Sequence, residues 1–195
     1  MKGILAQKIG MTQVICPETG VVTGVTVCEV PKNSVLQVKT VERDGYSAAV
    51  IGAFERKKGK NVGKKFKFIR EVGLDEGDEL KKGDELALSD FAEIKKLKLT
   101  GYSKGRGFAG VIKRHKFSRG PETHGSKHHR EPGSVGMCAK PARILKGKKM
   151  PGHMGNAKTT LSNVEVIDVD LENSLIVLKG AVPGAKKGFV FLREK

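Results

Sequence analysis

Residues 105–110 read Gly105-Arg106-Gly107-Phe108-Ala109-Gly110, the G-x-G-x-x-G pattern that cradles a dinucleotide pyrophosphate when a strand precedes it and an amphipathic helix follows. Residues 95–100 could supply the strand. The helix is missing, because residues 111–121 offer barely two turns before Gly120-Pro121 and are crowded by Lys113, Arg114, Lys116 and Arg119. Glu131 stands near the spacing of a ribose-binding acid, but Arg130-Glu131-Pro132-Gly133 is a turn sequence. No nucleotide cofactor is expected. The glycines fit better as backbone that must pass close to another backbone, with Lys104, Arg106, Lys113 and Arg114 meeting phosphates.

His124, His128, His129 and His153, with Cys138, raise a metal site as an alternative. They lack C-x-x-C or H-E-x-x-H spacing, and Pro121, Gly125 and Pro132 break any helix that would aim two imidazoles at one ion. No metal is expected; histidines in a glycine-rich basic loop more often stack on bases or hydrogen-bond phosphates. Ser103 and Cys138 sit among cations without a carboxylate-oriented base nearby, so no catalytic nucleophile is expected either. The three cysteines, Cys16, Cys28 and Cys138, are odd in number and read as reduced thiols of a cytoplasmic protein.

Lys146-Gly147-Lys148-Lys149-Met150-Pro151-Gly152-His153-Met154-Gly155-Asn156 combines point charges, glycines for tight approach, and Met and His surfaces suited to bases. A duplex reader would need a helix for the groove. Tyr102, Phe108 and Phe117 are too sparse for a single-strand stacking platform. An extended, irregular arm threaded into folded RNA accounts for the pattern.

The surrounding composition supports this. The chain has 195 residues, with 37 Lys+Arg against 21 Asp+Glu and a formal net charge of +16. Residues 101–157 hold thirteen Lys/Arg and two acids, Glu122 and Glu131, and therefore +11 of that charge. They also hold all five His, eleven Gly and four Pro, but only five branched aliphatics: Val111, Ile112, Val135, Ile144 and Leu145. Such a stretch buries too little apolar surface to offset the entropy of ordering itself, so it is disordered when free or ordered by what it binds. The strong basic excess points to a polyanionic partner. A membrane partner is not expected: the stretch offers no amphipathic helix with a broad apolar face. The run Leu175-Ile176-Val177-Leu178 is also far short of the roughly 20 residues that span a bilayer. Gln7 and Lys8 interrupt the opening apolar stretch, unlike a signal peptide.

The flanks must position this arm. β-type runs occur at residues 4–6, 12–15, 25–30, 35–38 and 48–51, punctuated by Pro17, Gly20, Pro31-Lys32-Asn33 and Asp44-Gly45. Further runs lie at 164–169, 174–178 and 189–192, with Asn173 and Gly184 in the turns between them. Many short strands at regular spacing predict a mainly β chain and a closed or nearly closed β-barrel. The expected organisation is a discontinuous barrel domain, residues 1–100 plus 158–195, interrupted by a long, irregular basic extension, residues 101–157. Residues 71–93 carry nine acids against two Lys and read as a solvated face or edge of the barrel. Within them Ser89 or Asp90 is expected to cap a short helix. Lys57-Lys58-Gly59-Lys60 and Gly63-Lys64-Lys65 form a second basic loop.

Several long motifs together resemble the bacterial large-subunit ribosomal protein L-three family. Leu5-Ala6-Gln7-Lys8-Ile9-Gly10-Met11-Thr12 is similar to its opening pattern, and residues 100–114 to its central signature. Thr123-His124-Gly125-Ser126, Arg130-Glu131-Pro132-Gly133-Ser134-Val135-Gly136 and residues 146–156 are similar to its arm. Gly180-Ala181-Val182-Pro183-Gly184 is similar to its C-terminal turn. The resemblance covers the whole chain.

The resemblance implies a translation-factor-like barrel toward the subunit surface and an arm reaching toward the peptidyl-transferase centre. Its partners would be large-subunit rRNA, bound early in assembly, and neighbouring ribosomal proteins; it implies no cofactor, no small-molecule substrate and no catalysis. The rRNA-binding residues expected in the first half of the arm are Lys104, Arg106, Lys113, Arg114, His115, Lys116 and Arg119. His124, Lys127, His128, His129 and Arg130 follow. The second half contributes Lys140, Arg143, Lys146, Lys148, Lys149 and His153. Gly105, Gly107, Gly110, Gly147, Gly152 and Gly155 are the expected close-approach glycines. Residues 134–149 would line the arm near its tip, and Gly152-His153-Met154-Gly155 would lie among rRNA helices. Two positions depart from the family: His153 replaces a Gln that is methylated in some relatives, and Lys98 replaces an Asp or Asn at the arm's base. Residues 61–68 also look shorter than the corresponding segment of relatives with a helix there.

Overall fold

The computed structural model describes residues 3–16, 20–55, 65–74 and 80–194. In chain order they form β1 (Gly3–Ile15), β2 (Val22–Glu29), β3 (Asn33–Lys39), a single turn α1 (Val41–Asp44), β4 (Ala48–Glu55) and β5 (Phe66–Gly73). Then come β6 (Glu85–Leu86), a 3-10 turn at Leu88–Phe91, β7 (Lys96–Tyr102), β8 (Phe108–Ala109) and α2 (Val111–His115). The remainder is β9 (Gly152–His153), β10 (Lys158–Asp170), β11 (Leu175–Lys179) and β12 (Phe189–Glu194). The chain is mainly β, as its short alternating runs predict. No helix among the described residues is long and apolar enough to cross a membrane.

The chain divides into two units, Met1–Ser103 with Lys158–Lys195, and Lys104–Ala157. In the first, six strands hydrogen-bond in the closed cycle β1-β12-β7-β10-β11-β2, every neighbouring pair antiparallel. A second, four-stranded sheet runs β5-β4-β3-β6. Alternation fills the closed cycle. Ile4 and Ala6, Leu97 and Leu99, Ile176 and Leu178, and Val190 and Leu192 are fully buried at i and i+2 in one core cluster.

β1 and β12 are apolar on both faces because both faces are covered. Ile4 and Ala6 join the closed-cycle core, while Leu5 between them joins the second cluster with Val35, Ala49, Ile51, Ala53 and Val72. Val190 and Leu192 pack inward, whereas Phe191 packs against the second cluster and Phe189 stacks on Phe68 of β5 with centroids 4.8 Å apart. This explains why these segments read as continuous hydrophobic runs rather than clean alternations.

Asn33 joins the two sheets. Its side chain is fully buried, accepts from the Leu5 N–H at 3.0 Å, and donates to the Leu5 carbonyl at 3.1 Å and the Pro31 carbonyl at 2.7 Å. β1 pairs with β2 only from Gln7 onward, so the Asn33 amide substitutes for backbone beside Leu5. Lys8, where the β1–β2 register shifts, sends its Nζ to the Val182 carbonyl at 2.7 Å. The opening motif and the C-terminal turn motif are therefore one structural joint. The buried Cys28 thiol is pushed up to about 12 by burial, which the Lys8 ammonium only partly opposes. It stays a protonated core group.

Several expectations are corrected. The runs at 4–6 and 12–15 are a single strand carrying a bulge. Strands β3 and β4 do not join the closed cycle but form the second sheet; strand periodicity specifies faces, not partners. Of the acidic stretch, Glu71 and Glu85 do not edge that cycle, since they lie in β5 and β6, the outer strands of the second sheet. The 3-10 turn starts after Ala87, and the Ser89 hydroxyl donates to Asp90 instead of capping a backbone N–H. Asn33, expected in a turn, begins a strand. β5 escaped notice because Lys67 and Arg70 interrupt its apolar pattern. Pro17, residues 57–60 and 63–64 of the basic loop, and residues 61–64 of the shortened segment lie outside the described residues, as do acids 75, 76, 78 and 79.

Replacing Asn33 by Ala orphans the buried Leu5 N–H and carbonyl, at about 1–3 kcal/mol per group. Urea unfolding of the full chain is expected to show Asn33→Ala destabilised by about 2–4 kcal/mol. Loss under ~0.5 kcal/mol, the range of an ordinary surface change, would refute the role of this amide.

Candidate nucleic-acid interface

The second unit, Lys104–Ala157, is built on backbone hydrogen bonds rather than a core. Of the 25 buried hydrophobic residues among those described, only Ala109 and Val111 belong to it. Residues 121–149 are all exposed except the half-buried Ser126. Phe108 faces His153 and Ala109 faces Gly152 in the β8–β9 ladder. Beyond it, the Arg106 N–H donates to the Met154 carbonyl at 2.8 Å and the Met154 N–H to the Gly107 carbonyl at 2.9 Å.

Glycines make this approach possible at particular places. Gly155 has φ +77, and a Cβ there would run into the Lys104 carbonyl and the Arg106 nitrogen. Gly152 lies under the Arg114 guanidinium. Gly107 and Gly147 have positive φ with open space around them, whereas Gly110 is the extended residue before α2, and Gly105 is not crowded. One close-approach glycine was not anticipated. A Cβ on Gly120 would overlap the His128 carbonyl, while the Gly120 N–H donates to the His129 carbonyl at 3.1 Å. The only available sequence signal was Gly120-Pro121 facing the His128-His129 pair.

The charged groups split into two sets. Arg114 sends Nη1 to the Met150 carbonyl at 2.6 Å, and His115 Nε2 reaches the same oxygen at 2.9 Å. These two, both half-buried, brace the unit internally. His129 Nδ1 bonds the Pro121 carbonyl at 2.9 Å. The two acids are locally matched, Glu122 to Arg119 at 2.6 Å and Glu131 to His128.

The other expected binding residues point outward. Lys104, Arg106, Lys113 and Lys116 are exposed near the α2 end, as are His124, Lys127 and Arg130 in the following loop. Lys140, Arg143, Lys146, Lys148, Lys149 and His153 are exposed along the return path. Among the described residues, Arg119 is the one Lys or Arg of this unit paired with a carboxylate. Eleven Lys and Arg side chains of this unit therefore face solvent with no carboxylate partner among the described residues, an arrangement suited to a chain of phosphates.

The dinucleotide alternative fails on geometry. α2 has five residues and no side-chain cap, and β8 interposes between β7 and that helix. The arrangement fits backbone-following contact with nucleic acid, with exposed Phe108, Met137 and Leu145 as apolar surfaces.

Residues 48–174 match the family model described as ribosomal protein L3. The chain is 45% identical to large ribosomal subunit protein uL3 of Alkaliphilus metalliredigens, covering 99% of this chain and 97% of that protein. It is 47% identical to the uL3 proteins of Heliobacterium modesticaldum, with 99% and 96% covered, and Halalkalibacterium halodurans, with 99% and 97% covered.

An alanine at Gly155 would combine a left-handed backbone with a steric overlap. Gly155→Ala is expected to lower hydrogen-exchange protection of the Arg106 and Met154 amides at least tenfold without changing protection in β7 or β12. Unchanged exchange at both amides would show that the close approach is dispensable.

Proposed function

Because the chain belongs to the ribosomal protein L3 family, we propose that residues 101–157 form an arm that enters folded large-subunit rRNA, held by a body of residues 1–100 and 158–195. The protein is a structural constituent of the large ribosomal subunit and not an enzyme. It acts on the ribosome, in the cytoplasm, with rRNA and neighbouring ribosomal proteins as partners. In this reading the body is a translation-factor-like β-barrel toward the subunit surface. The arm binds rRNA early in assembly and extends toward the peptidyl-transferase centre.

The observation that carries the arm's role is the set of eleven outward Lys and Arg side chains without carboxylate partners among the described residues. A single acid nearby would neutralise one of them. A folded polyanion neutralises many at once and releases its own counterions. Arg114 and His115 shape the arm through Met150, while Lys104, Arg106, Lys113 and Lys116 meet phosphates near its base. His124, Lys127 and Arg130 do the same in the loop, and Lys140, Arg143, Lys146, Lys148, Lys149 and His153 toward the tip and back. Arg119, His128 and His129 exchange or share their local partners with rRNA. Of the glycines, Gly155 and Gly120 let backbone lie close to backbone, and Gly152 makes room for the Arg114 guanidinium.

If six to ten cations engage phosphates, rRNA affinity falls roughly 10³–10⁵-fold between 50 and 200 mM salt, on the duplex scale. Lys148→Ala with Lys149→Ala is expected to flatten the salt slope by about 1.4–1.8, with stability altered by less than ~0.5 kcal/mol. An unchanged slope would refute phosphate contact there. In limited trypsin digestion of the free protein, the first cuts are expected within residues 104–149, and rRNA should suppress them. Equal resistance of arm and body without rRNA would refute ordering by RNA.

A further inference from the structure

A second cationic surface lies on the first unit, outside the arm. Antiparallel partners present their side chains on a common face. Phe191 lies opposite Thr100 and Arg193 opposite Lys98 on the β12–β7 pair, while Tyr102 lies opposite Lys158 on the β7–β10 pair. The inward residues between them, Leu97, Leu99, Val190 and Leu192, fill the core, so this set faces outward. The second sheet supplies a facing wall with Val50, Phe68, Arg70 and Glu71, and the groove between has a volume of about 590 Å³. That falls within the size range of small-molecule pockets.

Its chemistry is aromatic and cationic together. The Arg70 guanidinium lies 4.6 Å from the Phe68 centroid and that of Arg193 lies 6.0 Å from the Phe191 centroid. The Tyr102 side chain lines the groove and the residue is 44% exposed. Among the described residues of the lining Glu71 is the one carboxylate, and its charge is already matched: Lys39 Nζ donates to it at 2.7 Å and the Tyr46 hydroxyl at 3.2 Å. These bonds, Lys39 first, hold the Glu71 carboxyl below its usual range. Arg70 and Lys158 therefore make the described lining cationic, with the Arg193 guanidinium beside them.

The placement of Lys98 opposite Arg193 favours a polymeric ligand. Lys98 continues the positive track beyond the groove lining, farther than a single small anion would extend.

We propose that this groove is a second RNA site, taking one unpaired nucleotide of a single-stranded segment. The Tyr102 ring receives the base, and Arg70, Lys158 and Arg193 receive the flanking phosphates, as aromatic faces and cations do in single-strand binding. The inference goes beyond the arm's role and stands on different residues.

The test uses the full chain, a fluorescein-labelled hexauridylate and, as a base-free competitor, polyphosphate of equal charge. Tyr102→Ala is expected to weaken hexamer binding about tenfold, and Tyr102→Phe to retain it. Lys158→Ala, at an exposed side chain, is expected to lower the single-strand salt slope by about 0.7 without disturbing the packing of Arg70 on Phe68. A hexamer carrying 4-thiouridine should cross-link within β7 or β12. The proposal is overturned if Tyr102→Ala and Lys158→Ala both bind like the parent protein, if polyphosphate competes as strongly as the hexamer, or if cross-links fall only in the arm. Loss of hexamer binding confined to Lys148→Ala with Lys149→Ala would uphold the arm and overturn the groove; loss confined to the groove variants would do the reverse.

Discussion

The structure is organised around positive charge that cannot be put inside it. Thirteen Lys and Arg against two acids in residues 101–157 leave no internal arrangement that pairs them, and burying an unpaired cation costs several kcal/mol. The segment therefore stays outside any core, and its ends are secured elsewhere. Tyr102, the last residue of β7, lies directly opposite Lys158, the first of β10. The excursion begins and ends on adjacent strands, about 5 Å apart in the hydrogen-bonding direction. Closing a loop costs entropy, a penalty that grows only logarithmically with its length, and the burial that offsets it comes from the strands of the first unit.

Those strands form a robust base because two of them serve two cores. β1 and β12 bury alternate residues in the closed cycle and the intervening ones against the second sheet. A residue such as Leu5 therefore stabilises both layers, and its backbone is completed by the Asn33 amide instead of another strand. The Lys8 ammonium does comparable work at the other end of the bulge, holding the Val182 carbonyl. Polar groups occupy the joints where regular pairing stops, and each is satisfied, which is the condition for burying them.

Within the arm, the same economy appears in backbone contacts. Gly155, Gly152 and Gly120 occupy positions where a Cβ would meet another chain segment or a guanidinium, while Arg114 and His115 converge on one carbonyl. Cationic side chains thus serve two purposes that their type alone does not separate: a few brace the loop, and most are left to the solvent side. On the body, the outward residues of β7, β10 and β12 add aromatic rings and cations to a face whose inward residues are ordinary core. One strand period thus fills the core on one side and leaves cations and rings on the other.

Charge placement, the lack of a core in residues 101–157, most strands and the arm motifs were legible in the sequence, because net charge, apolar content and alternation are properties of a segment and its near neighbours. Pairing was not. That β3 and β4 leave the closed cycle, that Glu71 and Glu85 edge a second sheet, and that Asn33 reaches Leu5 depend on residues far apart in the chain. So do the inward turn of Arg114 toward Met150 and the meeting of Arg70, Tyr102, Lys158 and Arg193 around one groove. By itself the sequence determined which stretches could bury themselves and which could not. Only the tertiary structure decided which strands would be neighbours and which cations would be used internally, because hydrogen-bond registers and side-chain contacts are settled between distant segments.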